Sequence, residues 1–337
     1  MIFHTDYSII PLKSLALYEH YFMGAVMGKL TAEDVLSVKK KGFLRNRGTD
    51  LFSGRIVGNG TVFTAENFED MSYIAANFGN GKLIPTSRQA VEIVGIPFEK
   101  IPEAIEYAEA HGLYFGGTGN KVRPVTACKG TTCVYGNFDT QSLAQKIHSE
   151  FYNGWDKVQL PHKFKIAIGG CPNSCIKPSL NDFGVEGRKN PNLDTELCRG
   201  CKVCTIEKSC PMKAAKLVDG KITIDKSICL DCGVCVGKCP FDAVKKESET
   251  LYQIYIGGTW GKRTRMGTPL SRLVREDEVL KILEKTLLWF KKNAYSKERL
   301  GLCVDRIGKE QLEKDLFSDE LLTKKQEILD ADILQNN

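Results

Sequence analysis

Twelve of the thirteen cysteines in this 337-residue chain fall into three sets of four, and four converging thiolates are a device for holding metal. Cys198, Cys201, Cys204 and Cys210 form one run and Cys229, Cys232, Cys235 and Cys239 another, each closing on a proline, Pro211 and Pro240. The third set is built from two separated pairs, Cys128 with Cys133 and Cys171 with Cys175. Soft sulfur ligands suit zinc knuckles or iron–sulfur clusters, and the tight third cysteine together with the proline that closes each run belongs to loops that wrap a cluster. Disulfide pairing fits small secreted scaffolds better than repeated C-x2-C in a chain of this length. Just before Gly169-Gly170-Cys171, the run Lys163-Phe164-Lys165-Ile166-Ala167-Ile168 alternates as a strand, with Lys163 and Lys165 on one face and the apolar residues on the other. Two cations on one face beside a thiolate pair suggest a place for an anion.

These groups need a scaffold, and residues 1–120 read as alternating helix and strand. Thr64 is a natural N-cap for a helix with Phe68, Met71, Ile74, Ala75 and Phe78 at helical spacing before Gly79. A second helix follows Ile101, with Pro102 in its first turn, Ile105 and Ala108 on its apolar stripe, and a stop at His111-Gly112. Between them, Leu83 to Ile96 is rich in β-branched residues and reads as one strand carrying Arg88 near its start. Asp139 should cap a helix with Leu143, Ile147 and Phe151 on one face. From about Gly187 to Lys246 the composition becomes cysteine-dense and roughly twofold repeated, as in an inserted module. Leu251 to Ile256 resumes strand character, and a long helix carries Val279, Leu283, Leu287 and Phe290. The polar stretch after Ser318 reads as a helix or a frayed end. Cys303 reads as a small apolar packing residue, and His111 and His148 as helix-surface or helix-end residues.

Composition limits the possibilities. A hydrophobic content of 42% supports packed cores in two or three domains. The net charge of +6 comes without the long basic block of a nucleic-acid tail. With no apolar run of membrane-spanning length and no leader pattern, the expectation is a soluble, cytoplasmic protein with no nucleic-acid partner.

The eight cysteines of the two runs resemble those of two-cluster bacterial ferredoxins. That resemblance implies crossed ligation, one four-iron cluster on Cys198, Cys201, Cys204 and Cys239 and its partner on Cys229, Cys232, Cys235 and Cys210. The first run has five residues before Cys210 where three are usual, which enlarges a loop. Thr126-Ala127-Cys128-Lys129-Gly130-Thr131-Thr132-Cys133 and Gly169-Gly170-Cys171-Pro172-Asn173-Ser174-Cys175 resemble the paired motifs of the sirohaem-dependent sulfite and nitrite reductases, over essentially residues 40–310. Within that family the length and the inserted ferredoxin module point to the anaerobic sulfite-reducing branch.

The resemblance implies an α+β fold: a ferredoxin-like half-domain over residues 1–120, a sirohaem and four-iron-cluster α/β domain over 121–186 and 247–337, and an inserted two-cluster ferredoxin domain over 187–246. It implies a third 4Fe-4S cluster on Cys128, Cys133, Cys171 and Cys175, with the Cys175 thiolate shared with the sirohaem iron. Arg55, Arg123, Lys163 and Lys165 match positions that hold the substrate anion, and Arg88 matches a haem-pocket arginine. Lys262, Arg263 and Arg265 are candidates for the haem carboxylates on charge and position alone. The implied reaction is six-electron reduction of sulfite to sulfide; reduction of nitrite to ammonia and a haem-free cluster relay are the alternatives. No flavin or nucleotide fingerprint is present, so flavin- and cluster-bearing partner subunits are expected to supply electrons, and a homo-oligomer or association with other subunits is expected because relatives carry two copies of the half-domain and cluster-domain pair.

Overall fold

The computed structural model describes residues 30–335; the part of the expected first domain before Leu30 lies outside them. The chain starts with helix α1 (Ala32–Lys40), whose cap Thr31 and third residue Asp34 bond reciprocally. Strands β1 (Phe43–Arg45) and β2 (Leu51–Val57), helix α2 (Ala65–Asn77), strands β3 (Leu83–Pro85) and β4 (Val91–Pro97), helix α3 (Ile101–Ala110) and strand β5 (Tyr114–Phe115) follow. The strands form one antiparallel sheet in the order β1-β2-β4-β3, with β5 on β2. Thr64 caps α2 as expected, in a box with Asn67, and the helix buries Met71, Ile74 and Ala75 against Phe43, Phe52, Ile56 and Ile93. The stretch expected as a single strand from Leu83 to Ile96 is two strands. Thr86 to Ala90 turns between them, with Gln89 at φ +56° and the Thr86 hydroxyl accepting from the Ala90 N–H. Arg88 therefore sits at a turn tip and not in a ladder.

The second sheet uses β6 (Thr126–Ala127), helix α4 (Thr140–Ile147), β7 (Ile166–Gly169) and β8 (Phe183–Lys189) from the first half of its lobe. Parallel β6, β7 and β8 lie side by side. β7 is buried throughout, so its residues show no exposed face, as a central parallel strand covered on both sides should. Lys163 and Lys165 lie just ahead of it, alternating with buried Phe164. Asp139 caps α4, and Leu143, Ile147 and Phe151 are buried as expected. His148 lies at the helix end, as the C-cap of α4, and is buried rather than on the surface, its ring 4.6 Å from that of Tyr152 where α4 passes into a wider-wound turn.

The cysteine-dense segment contributes helix α5 (Thr205–Ser209) and the hairpin β9 (Ala215–Val218) with β10 (Lys221–Ile224). It leaves from the end of β8 and returns at β11 (Thr250–Ile256). Lys189 and Thr250 are register partners, so a whole module hangs from one closed hairpin stem. β12 (Thr268–Pro269) completes the five-stranded sheet, in the order β12-β11-β8-β7-β6. Helix α6 (Glu276–Asn293) buries Val279, Leu283, Leu287 and Phe290 beside it. Helices α7 (Leu300–Ile307), α8 (Lys309–Phe317), α9 (Glu320–Thr323) and α10 (Lys325–Asp330) pack behind α6. The stretch after Ser318 is thus folded, anchored by buried Leu321 and Ile328, and Cys303 is buried among apolar neighbours. No helix among the described residues is long and apolar enough to cross a membrane.

Candidate active site

Strand order explains how two distant cysteine pairs meet. β6 and β7 are parallel neighbours, so the loops leaving their C-terminal ends, carrying Cys128 with Cys133 and Cys171 with Cys175, emerge together. The Cys128 N–H donates to the Ile168 carbonyl (3.0 Å), its Sγ accepts from the Gly170 N–H (3.2 Å), and Thr140 Oγ1 donates to its carbonyl (2.7 Å). Gly136 passes so close to the Gly130 carbonyl that a Cβ would collide with it, which holds the first loop in a tight coil. All four cysteines line one cavity of about 580 Å³, and Cys175 is the exposed member. Burial, then the neighbouring Cys128, Cys175 and Cys133, push the Cys171 thiol up; thiols so crowded are relieved by metal coordination.

A cationic cleft of about 380 Å³ is lined by Arg55, Arg88, Arg123, Lys163 and Lys165. Arg55 lies on β2, and its Nη2 meets Glu92 on β4 at 2.6 Å. Arg55 Nη1 also donates to the Gly117 carbonyl (3.1 Å), which accepts from Arg123 Nη1 as well. The Gly117 N–H in turn donates to Tyr152 Oη (3.0 Å), so one peptide aligns two guanidiniums. Arg88 reaches the second lobe, donating to Asn181 Oδ1 (2.9 Å), the Pro124 carbonyl (2.7 Å) and the Ile166 carbonyl (3.2 Å). The Nε atoms of Arg88 and Arg123 are buried without a partner, leaving donor capacity for a ligand.

The electrostatics follow from crowding. Burial, then Arg123 and Arg55, bring Arg88 down to about 10 against the pull of Asp182. Burial and Arg55 likewise bring Arg123 to about 10. Lys165 falls to about 8 through burial, then Arg88, Lys163 and Arg299. Lys163 falls as well, through burial, Arg299 and Arg123. Beneath them Asp182 is fully buried; its two oxygens accept from Arg299 Nη2, both at 2.9 Å, and one also accepts from the Lys165 N–H (2.9 Å). His162 completes the cluster, its Nδ1 accepting from the Lys163 N–H (2.7 Å); burial and the surrounding cations bring it to about 4.

Asp182, Arg299, Glu92 and His162 were not apparent from the sequence. Asp182 and Arg299 stand 117 residues apart, and no spacing rule links them. Lys262, Arg263 and Arg265 line neither cavity. Lys262 and Arg263 are exposed, and Arg265 is committed elsewhere: to Asp305 (2.6 Å), to Thr268 Oγ1 and to the Gly257 and Met266 carbonyls.

In the inserted module the fourth cysteine of the first run joins the second. Cys210, Cys229, Cys232 and Cys235 line one pocket, and burial with Cys232, Cys229 and Cys210 raises the Cys235 thiol to about 11. The long spacer before Cys210 is accounted for by α5. Cys198 Sγ accepts from the Ile222 N–H (3.3 Å), and Cys198, Cys204 and Cys239 pack against the same small core of Ile206, Ile222 and Val244. Among the described residues no three His, Cys, Asp or Glu side chains converge as closely as a single ion requires.

The profile of the nitrite and sulphite reductase 4Fe-4S domain matches residues 118–325, and that of the nitrite/sulfite reductase ferredoxin-like half domain matches residues 46–111. The chain is 31% identical over 252 residues to the coenzyme F420-dependent sulfite reductase of Methanocaldococcus jannaschii, covering 74% of this chain and 39% of that protein. It is 29% identical over 261 residues to an anaerobic sulfite reductase subunit from Salmonella typhimurium, covering 70% and 73%. The crystal structure of dissimilatory sulfite reductase I superposes with a TM-score of 0.64 at 23% identity, covering 79% of this chain and 69% of that one, a likeness of fold.

Proposed function

The chain belongs to the nitrite and sulphite reductase family, and from that premise we propose that it is the catalytic subunit of a sulfite reductase, taking sulfite to sulfide. One observation carries the reading: a cleft lined by six cations, Lys39 among them, adjoins a cavity lined by four cysteines, and consecutive residues of one turn, Arg88 and Gln89, face one each. The site fits sirohaem and its cluster. Exposed Cys175 on the cavity wall suits a thiolate shared with a second metal centre, and the orphaned Nε donors suit a polycarboxylate and its anionic ligand. When bound, that group supplies an open metal coordination position and single electrons through its cluster.

Cys128, Cys133, Cys171 and Cys175 would hold that cluster, with Arg88 near the macrocycle carboxylates. Cys198, Cys201, Cys204 and Cys239 would hold a second cluster, and Cys210, Cys229, Cys232 and Cys235 a third, within the domain division 1–120, 121–186 with 247–337, and 187–246. Lys262 and Arg263 are the outer cations that remain available for carboxylates.

The remaining chemistry belongs to side chains. Sulfite plus six electrons and six protons gives sulfide and three waters, so the site must hold a dianion and supply protons. Arg123 and Arg55, aligned by Gly117, hold the sulfite oxygens electrostatically. Lys163 adds a further positive charge. Lys165, with its ammonium close to neutral in acidity, delivers a proton from Nζ to a departing oxygen and regains it from solvent. Asp182 offsets part of the cation repulsion that would otherwise open the cleft. Separate flavin- and cluster-bearing subunits supply the electrons, and a second copy of the chain is a further candidate partner.

The test is anaerobic purification with iron and sirohaem quantification, then sulfide formation from sulfite with reduced methyl viologen, beside ammonia formation from nitrite. Haem-free protein that makes no sulfide defeats the reading, and faster nitrite turnover transfers it to the nitrite branch.

A further inference from the structure

A crevice of about 300 Å³ separates the inserted module from the reducing centre, and Cys171 and Cys232 both line it. Asn137 ties its two sides together. Its backbone N–H donates to the carbonyl of Gly170, the residue before Cys171 (2.9 Å), while its side-chain Nδ2 donates to the Cys232 carbonyl (3.4 Å) and the Gly187 carbonyl (3.3 Å). Its own carbonyl accepts from Thr250 Oγ1 (2.9 Å), so it also grips both strands of the stem from which the module hangs. The fit on the far side depends on glycine. Gly233 has φ +75°, and a Cβ there would stand 2.6 Å from Asn137 Oδ1. The same cysteine loop is pinned to β8 by the Lys189 N–H on the Asp231 carbonyl (2.7 Å) and by Arg188 Nη1 on the Leu230 carbonyl (2.6 Å). The Cys198 to Cys204 loop is instead bonded within the module, through Lys221 and Ile222.

We propose that Asn137 is a positioning residue for electron transfer: its side chain holds the Cys210/Cys229/Cys232/Cys235 quartet against the Cys128/Cys133/Cys171/Cys175 quartet, making the former the donor to the reducing centre and leaving the Cys198/Cys201/Cys204/Cys239 quartet to receive electrons from outside. This rests on the cluster assignment above. In each transfer the inner ferredoxin-type cluster is oxidised by one electron and the centre's cluster reduced by one; Asn137 exchanges no proton and changes no bond order. The continuous path runs from the Cys232 carbonyl through the Asn137 amide and backbone to the Gly170 carbonyl and Cys171. It replaces a jump across an open crevice by two hydrogen bonds.

Asn137→Asp keeps size and backbone but cannot donate to the Cys232 and Gly187 carbonyls. After rapid mixing of the full anaerobic chain with reduced methyl viologen, freeze-quenched paramagnetic resonance should show electrons held on the ferredoxin-type clusters, with reduction of the centre slowed roughly tenfold or more. Iron content should match the parent, and the thermal midpoint should fall only by the few degrees that two lost hydrogen bonds cost. Gly233→Ala, which pushes on the same contact from the other side, should slow the same step. Parent-like transfer in both variants overturns the proposal. Loss of iron in Asn137→Asp would make its role purely structural and also overturns it. Because the readout is transfer between clusters without sulfite, it is separate from the sulfide assay: a parent chain with all clusters but no sulfide production would defeat the functional reading alone.

Discussion

Arg88 and Gln89 are adjacent in the chain yet serve different cavities. The Arg88 guanidinium threads into the second lobe to Asn181, Pro124 and Ile166, while the Gln89 amide pairs with both the N–H and the carbonyl of Ala127, next to Cys128. The turn between β3 and β4 therefore fastens the first lobe to the second and forms part of the wall between cleft and cluster cavity.

Replacing Arg88 by Met removes three hydrogen bonds and leaves buried acceptors unpaired. The expected cost is about 3 kcal/mol, read as a lowered thermal midpoint of the anaerobic chain. A midpoint matching the parent would show that the turn does not fasten the lobes.

Lys165 must be protonated to act as an acid, and its acidity lies near 8 because of burial and its cationic neighbours. Sulfide formation at saturating sulfite should hold below that value and fall as pH rises through it. Lys165→Met should lower turnover about 100-fold and abolish this limb while preserving the haem spectrum. A falling limb that persists in the variant assigns it to another group.

His148 is neutral when folded, because burial brings it from 6.5 to about 4. Between those values the unfolded chain binds the extra proton, so this contribution is complete above pH 6.5 and is lost as pH falls toward 4, on the order of 2–3 kcal/mol. His148→Phe should flatten that part of the stability curve, as followed by thermal midpoints across pH. An unchanged slope would place the titrating group elsewhere.

Crossed ligation predicts which cysteine losses are redundant. Cys210→Ser should cost one cluster's iron, and adding Cys229→Ser should cost no more, because both serve the same quartet. Adding Cys204→Ser should remove a second cluster. Iron and acid-labile sulfide analysis distinguishes these outcomes; iron loss that adds for the Cys210 and Cys229 pair refutes the assignment.

What was legible in the sequence was local. Cysteine spacing marks cluster-wrapping loops because a cube of fixed size demands short, turned segments, and the cap at Thr64 and the stripe on α6 follow from helical periodicity. The strand through Arg88 was misplaced because β-branched content does not reveal a turn that the partner lobe requires. The burial of His148 at its helix end was not legible because helical position says nothing of what packs on top.

The residues themselves thus marked the cysteine loops, the family and the presence of an inserted module, since each depends on chemistry within a few neighbouring positions. Only the tertiary structure decided the rest: that β6 and β7 lie parallel, so that two cysteine pairs form one quartet; that Asp182 pairs with Arg299 beneath the cations; and that Asn137 spans the crevice. Such pairings connect remote segments, and their energy comes from burial and from charges desolvated together, which no single stretch of chain contains.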